Sequence, residues 1–105
     1  METIRILLEY GTYPLWLLDD EGLTIDTSLP AEWSDDVELD ELLTKIMNDY
    51  TNLFIDTKEE FKYVGFNDDA SKQKFIALVK KAVEKVIEKN AGKYQIIDDT
   101  HLERL

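Results

Sequence analysis

Hydrophobic residues at every second position predict strands at the start of this chain. Ile4, Ile6 and Leu8 alternate with other side chains, which is typical of a strand with one buried face. Residues 15–18 and 23–25 predict two further strands. The turn between them, residues 19–22, ends in a glycine, the residue that most readily adopts positive φ. The first 25 residues therefore predict a three-stranded meander.

Two later segments carry apolar residues at the three- and four-residue spacing of amphipathic helices. The first begins after the loop around Pro30, where Asp35 and Glu38 have the spacing of a capping box. Its apolar stripe comprises Leu39, Leu42, Leu43, Ile46, Tyr50, Leu53 and Phe54. The second begins after residues 67–69, which are all N-cap types, and ends before Gly92. Its stripe comprises Phe75, Ile76, Val79, Ala82, Val83, Val86 and Ile87.

Short apolar runs at residues 61–64 and 94–97 predict one strand between the helices and one after them. The predicted order is βββαβαβ. We expect an α+β fold in which two helices pack on one face of a mainly antiparallel sheet. The length of 105 residues predicts a single domain, with a tail that frays from about residue 98.

The charges are distributed unevenly, and this favours a basic partner. No lysine or arginine lies between Arg5 and Lys45, a stretch that contains eleven carboxylates. Residues 1–60 hold 16 acids and 3 bases, whereas residues 61–105 hold 7 acids and 9 bases, within a net charge of −11. Such a field repels nucleic-acid phosphates and anionic membranes, and it steers basic proteins toward the chain.

Other chemistries find little support in the sequence. The chain has no cysteine, and its only histidine, His101, lies in the predicted tail. No nucleophile elbow, glycine-rich phosphate loop or EF-hand spacing occurs. We therefore expect neither an enzyme nor a metal or cofactor site. The absence of a signal-like start or a long apolar run predicts a cytoplasmic protein that does not enter a membrane.

Three groups of residues are candidates for partner binding. Asp19, Asp20 and Glu21 form either a solvated hairpin turn or a charged tip presented to a partner. Near the first helix, the capping role given to Asp35 and Glu38 leaves further carboxylates available for a binding face. They are Asp36, Asp40 and Glu41.

Trp33 is the third candidate. It lies between Glu32 and Ser34, in the loop before the first helix. A tryptophan among polar residues is either folded back onto the core or exposed as an interface anchor. The sequence leaves both possibilities open.

Several segments resemble small immunity proteins of bacterial polymorphic or contact-dependent toxin systems. The residues that carry the resemblance are Tyr10–Asp19, Glu21-Gly22, Leu29-Pro30, Leu53–Asp56 and Phe61–Phe66. The resemblance covers roughly residues 4–97 and consists of turn and core residues. It implies a cytoplasmic protein that binds the toxic domain of a cognate partner. It implies no particular site residues, because the interfaces of this group are partner-specific.

Charge and resemblance together lead to one main functional hypothesis. The chain is expected to bind and neutralise a cognate toxin domain, a basic nuclease for example, by occlusion. The alternatives are a DNA-mimic inhibitor of nucleic-acid-binding enzymes, as phages encode, and a regulatory or scaffold domain. A mimic would bind several unrelated basic proteins, whereas an immunity protein would bind one.

Overall fold

The computed structural model describes residues 1–105 and confirms the α+β class. Six strands and two α-helices occur in the order βββαββαβ. They are β1 (Thr3–Ile6), β2 (Leu15–Leu18), β3 (Thr24–Asp26), α1 (Val37–Thr51), β4 (Phe54–Asp56), β5 (Phe61–Tyr63), α2 (Asp69–Asn90) and β6 (Gln95–Asp98). Single 3₁₀ turns at Ala31–Trp33 and Leu102–Arg104 complete the regular structure.

Four of the strands form one sheet with the order β3-β2-β1-β6. The β1–β2 and β2–β3 pairs are antiparallel, as the meander predicts, whereas β6 lies parallel to β1. Ile4 faces Leu17 on one side and Ile96 on the other, so these three side chains share a face of the sheet. The central strand β1 is therefore paired along both edges.

Both helices pack on this face of the sheet. Ile4, Ile6 and Leu15 are buried there together with the apolar stripes of the helices. Both stripes have the spacing that one side of a helix presents to a core. The fully enclosed helical residues are Leu39, Leu43 and Ile46 of α1 and Phe75, Val79, Ala82 and Val86 of α2.

Between the helices, the structure differs from the predicted single strand. Helix α1 ends at Thr51, and Phe54 opens β4 instead of extending the helical stripe. Phe54 pairs with Tyr63, and Asp56 pairs with Phe61, which makes an antiparallel hairpin. Aromatic and β-branched residues in both arms favour pairing over one more helical turn. The hairpin forms a small second sheet.

At the helix ends, the predicted N-cap of α1 is wrong. Asp36, and not Asp35, is the N-cap of α1, and its side chain accepts a hydrogen bond from the Leu39 amide at 3.0 Å. In α2, Asp68 caps as predicted, accepting from the Ser71 amide at 2.7 Å. Asp36, one of the predicted partner-binding carboxylates, is thus already bonded to an amide at the helix start.

The C-terminal tail lies against the sheet in the structure, where the sequence predicts fraying from about residue 98. The side chain of Arg5 donates from Nε to Asp99 at 2.6 Å, and Thr100 is buried. Leu102 and Leu105 pack on the edge of the core. The tail is held by this ion pair with β1 and by the apolar contacts of its two leucines.

The core position of α1 generates a stability prediction. Ile46 is 1% exposed in the core, whereas Ile87 of α2 is 56% exposed. We expect Ile46→Ala to lower the free energy of unfolding by about 2–5 kcal/mol, because it removes buried methyl groups and leaves a cavity. Ile87→Ala is the matched control and should change it by about 0.5 kcal/mol at most. Urea unfolding followed by circular dichroism measures both, and equal losses would contradict the packing described above.

Candidate functional site

The acidic start of α1 lies against the lysine-rich second half of α2. Two ion pairs join the helices. Lys89 Nζ is 3.0 Å from Asp36 Oδ2, and Lys85 Nζ is 3.9 Å from Glu38 Oε1. The side chain of Glu38 remains largely exposed, so the second pair is weak. The acidic half of the sequence is thus partly neutralised by the basic half.

Glu32, just before α1, is the most strongly bonded carboxylate of this region. Its Oε1 forms an ion pair with Lys93 and accepts a hydrogen bond from the Tyr94 hydroxyl. The hydrogen bond from Lys93, followed by that from Tyr94, lowers the pKa of Glu32 to about 2. Burial, together with the nearby carboxylate, raises the pKa of Tyr94 to about 12.

Trp33 belongs to the core. It is only 5% exposed and meets Tyr94 edge to face, with ring centroids 5.9 Å apart. Of the two possibilities that the sequence left open, the structure has the folded-back tryptophan. A side chain enclosed in this way offers almost no surface to a partner, so we do not retain Trp33 as an anchor.

The predicted acidic tip is a turn that is closed by its own hydrogen bonds. Asp19 Oδ1 accepts hydrogen bonds from the amides of Glu21 and Leu23, both at 2.9 Å. Asp20 lies 2.8 Å from the N-terminal amine, and Glu21 is exposed. Only Asp20 and Glu21 therefore project charge here. The tip follows β2 at the end of the sheet where β1 begins.

Asp40 and Glu41 are exposed on α1, in the helical layer and not in the sheet layer that carries the tip. Asp40 accepts a hydrogen bond from the Tyr13 hydroxyl at 2.8 Å. Burial and this carboxylate raise the pKa of Tyr13 well above its usual value. The predicted partner-binding residues are thus split between two layers, and several of them have internal partners.

The structure brings together a different set of residues at the other end of the molecule. The loop after β1 reaches α1 there, and the Gly11 amide donates to Thr51 Oγ1 at 3.0 Å. This contact places Tyr10 on the β4–β5 hairpin. We call the resulting surface the hairpin face, defined by Tyr10, Phe54, Asp56, Phe61 and Tyr63.

Phe54 is the centre of the hairpin face. The ring of Phe61 stacks on it at 5.4 Å, and those of Tyr10 and Tyr63 meet it edge to face at 5.2 and 5.3 Å. Tyr50 of α1 contacts it from below, also at 5.3 Å. Offset and edge contacts of this kind stabilise aromatic clusters. An isolated two-stranded hairpin is marginal in water, so these rings hold it to the body of the protein.

The outer rings are exposed further than this structural role requires. Phe61 is 55% exposed and Tyr63 is 44% exposed. The Tyr10 hydroxyl donates to Asp56 Oδ2 at 2.9 Å, which raises the pKa of Tyr10. Lys62 lies between Phe61 and Tyr63 in β5, so strand alternation directs it to the opposite side of the hairpin. Aromatic rings and carboxylate oxygens therefore share a face.

Sequence reasoning missed this surface for an identifiable reason. Phe54 was assigned to the helical stripe, and Phe61 and Tyr63 to a strand of the main sheet. The available signal was a pair of short segments. Residues 53–55 are apolar, and Phe61, six positions after Ile55, begins a segment in which aromatic and charged residues alternate. Such a pair of segments predicts a hairpin when a turn separates them.

A cavity of about 390 Å³ lies between Tyr63 and the C-terminal tail. His101 lines it, with Nε2 3.2 Å from Asp99 Oδ1 and Nδ1 3.4 Å from Glu103. Arg5, followed by the weaker effect of His101, lowers the pKa of Asp99. No group of three or more histidine or carboxylate side chains is arranged to hold a metal ion.

Comparisons with known proteins leave the chain without an assigned family. No protein-family model matches it, and no curated protein matches its sequence. Neither α-helix combines the length and the apolar character that a membrane crossing requires.

The bonds of Glu32 generate a prediction about acid stability. Its pKa is lowered from 4.5 to about 2 in the folded protein. The stabilisation is therefore fully present above about pH 5 and is lost as the pH falls toward 2. We expect Glu32→Gln to flatten this part of the profile of unfolding free energy against pH. Glu41→Gln, at an exposed position of α1, is the control and should leave the slope unchanged. Identical profiles for Glu32→Gln and the unsubstituted protein would contradict the assignment.

Proposed function

We propose that this chain is an immunity protein, which binds a cognate toxin domain with a basic surface and neutralises it by occlusion in the cytoplasm. The observation that carries the proposal is the hairpin face. It combines exposed aromatic rings with the Asp56 carboxylate on one side of a hairpin. The resemblance of residues 10–19, 53–56 and 61–66 to small immunity proteins supports the same function, and all three segments contribute to the face.

The chemistry of the face favours a basic partner. Aromatic residues at the centre of an interface commonly contribute most of the binding energy. An arginine of the partner could stack on the Phe61 ring and pair with the adjacent Asp56 carboxylate. Exposed carboxylates around the face, Glu9, Glu59 and Glu60, extend the same negative potential.

Occlusion follows from these properties in two steps. The net charge of −11 accelerates encounter with a basic surface. The exposed rings then exclude water from the contact and slow dissociation. A nuclease cleft built to bind phosphate is such a surface, and a protein seated over it would block access of the substrate.

A DNA-mimic inhibitor is the second candidate, and the lysine-free stretch between Arg5 and Lys45 favours it. Several carboxylates of this stretch bond to lysines, tyrosines or backbone amides, which interrupts a phosphate-like array. We therefore place the dedicated inhibitor first.

Affinity capture from the source cells separates the two candidates. The tagged chain should retain one dominant protein with a basic domain, and the contact should persist at about 0.5 M salt, where exposed charges are screened. Expression of that domain alone should be toxic, and co-expression of this chain should restore growth. Release of several unrelated nucleic-acid-binding proteins by salt would instead indicate a mimic, and failure to restore growth would exclude the immunity function.

Substitutions in the hairpin face test where the partner binds. Phe61→Ala should weaken binding of the captured domain by at least about tenfold through faster dissociation, as loss of an aromatic anchor does. Glu9→Lys with Glu59→Lys should instead slow association, because these charges lie at the rim. Surface plasmon resonance at two salt concentrations measures both rates.

Matched controls for this experiment lie elsewhere on the surface. Val37→Ala truncates another exposed apolar residue, and Glu84→Lys with Glu88→Lys reverses two exposed carboxylates of α2. Neither control should change affinity by more than about twofold. Circular dichroism confirms that each variant is folded. Unchanged binding by folded Phe61→Ala would move the interface away from the hairpin face.

A further inference from the structure

A groove of the opposite charge lies between the second half of α1 and the first half of α2. Its volume is about 820 Å³. Segment 64–67, which connects β5 to α2, closes one end. We call it the lysine groove, because Lys45 of α1 and Lys74 and Lys81 of α2 line it.

The floor of the lysine groove is apolar. Leu53 and Phe75 are buried beneath it, and Phe66 and Leu78 are partly buried beside them. Val64 contributes a side chain that is 49% exposed. An occupant that covered these groups would gain the free energy of removing apolar surface from water.

The charge of the groove is unusual for this chain. Three lysines face a single carboxylate, Asp49, whose Oδ2 is already 3.1 Å from Lys45 Nζ. Lys85 and Lys89, further along α2, have carboxylate partners on α1. Lys74 and Lys81 form no ion pair, so two ammonium groups lie beside apolar surface in a protein of net charge −11.

The shape of the groove suits an elongated occupant. Its walls are two antiparallel helices. Lys74 and Lys81 lie seven positions apart on α2, which corresponds to about 10 Å, or two helical turns. Small ligands are commonly enclosed over most of their surface. This groove is open along its outer side and would cover only one face of its occupant. A helix with one apolar face is covered in that way.

We propose that the lysine groove binds an amphipathic α-helix of a partner protein, one whose apolar stripe is bordered by carboxylates. The apolar stripe would lie on Val64, Phe66 and Leu78, and the bordering carboxylates would pair with Lys74 and Lys81. This site is separate from the hairpin face and opposite in charge. Binding at this site does not depend on the immunity function.

The probe for this proposal is a synthetic fluorescent peptide of about five helical turns. Its leucines follow the i, i+3, i+4, i+7 pattern, and glutamates border them. A second peptide carries lysines in place of the glutamates. Fluorescence anisotropy should show saturable binding of the glutamate peptide, weakened by salt, and no binding of the lysine peptide.

Two charge-reversed variants locate the site. Lys74→Glu with Lys81→Glu should reduce affinity for the glutamate peptide by at least about tenfold, because attraction becomes repulsion at both positions. Lys72→Glu with Lys80→Glu makes the same charge change on α2 outside the groove and should change affinity by less than about threefold. Val64→Asp places a carboxylate at the floor and should also weaken binding.

Several results would overturn the proposal. They are absence of saturable binding, equal binding of the lysine peptide, and equal losses in the two double variants. Binding of dodecanoate at the groove without binding of the glutamate peptide would assign it to a small anionic amphiphile. Circular dichroism and urea unfolding of each variant separate a lost site from a lost fold.

Discussion

The antiparallel packing of α1 on α2, over the face of the sheet that carries Ile4 and Ile6, determines where the charges of this protein lie. Burial of the two apolar stripes fixes the helices side by side. The acidic start of α1 then lies next to the lysines at the end of α2. These exposed pairs contribute little stability individually. Their position follows from the core, which explains why Asp36 and Glu32 have internal partners and are not free for a partner protein.

The same packing leaves two surfaces of opposite character. Where the C-terminal half of α1 meets the first half of α2, three lysines and one carboxylate, Asp49, line the lysine groove, which therefore remains basic. Beyond the end of α1, the β4–β5 hairpin turns its rings and Asp56 toward Tyr10. Along the helix pair, acidic and basic side chains lie next to each other. Elsewhere on the surface, they are separated into the acidic hairpin face and the basic lysine groove. A protein that binds partners by electrostatic steering needs such separation, because mixed surfaces have weak fields.

Much of the fold was predictable, because it depends on local patterns. Alternation identified β1, the short apolar run at residues 15–18 identified β2, and three- and four-residue spacing identified both helices. The hairpin was missed because Phe54 fits the helical stripe of α1 as well as it fits a strand, and only its contacts with Phe61 and Tyr63 decide the matter. The candidate site was predicted less well. Asp19 and Asp36 are conspicuous acids in the sequence, yet both bond to nearby amides.

The sequence by itself determined the α+β class, the approximate start of α2 and the excess of negative charge, because each depends on composition or on neighbours along the chain. Only the tertiary structure decided which charges remain free. Lys89 meets Asp36 across more than fifty residues of sequence, Tyr10 meets Asp56 across 46, and Trp33 is covered by Tyr94. Local patterns do not encode such contacts, since packing of the apolar faces sets them, and the polar partners are those that this packing brings within reach.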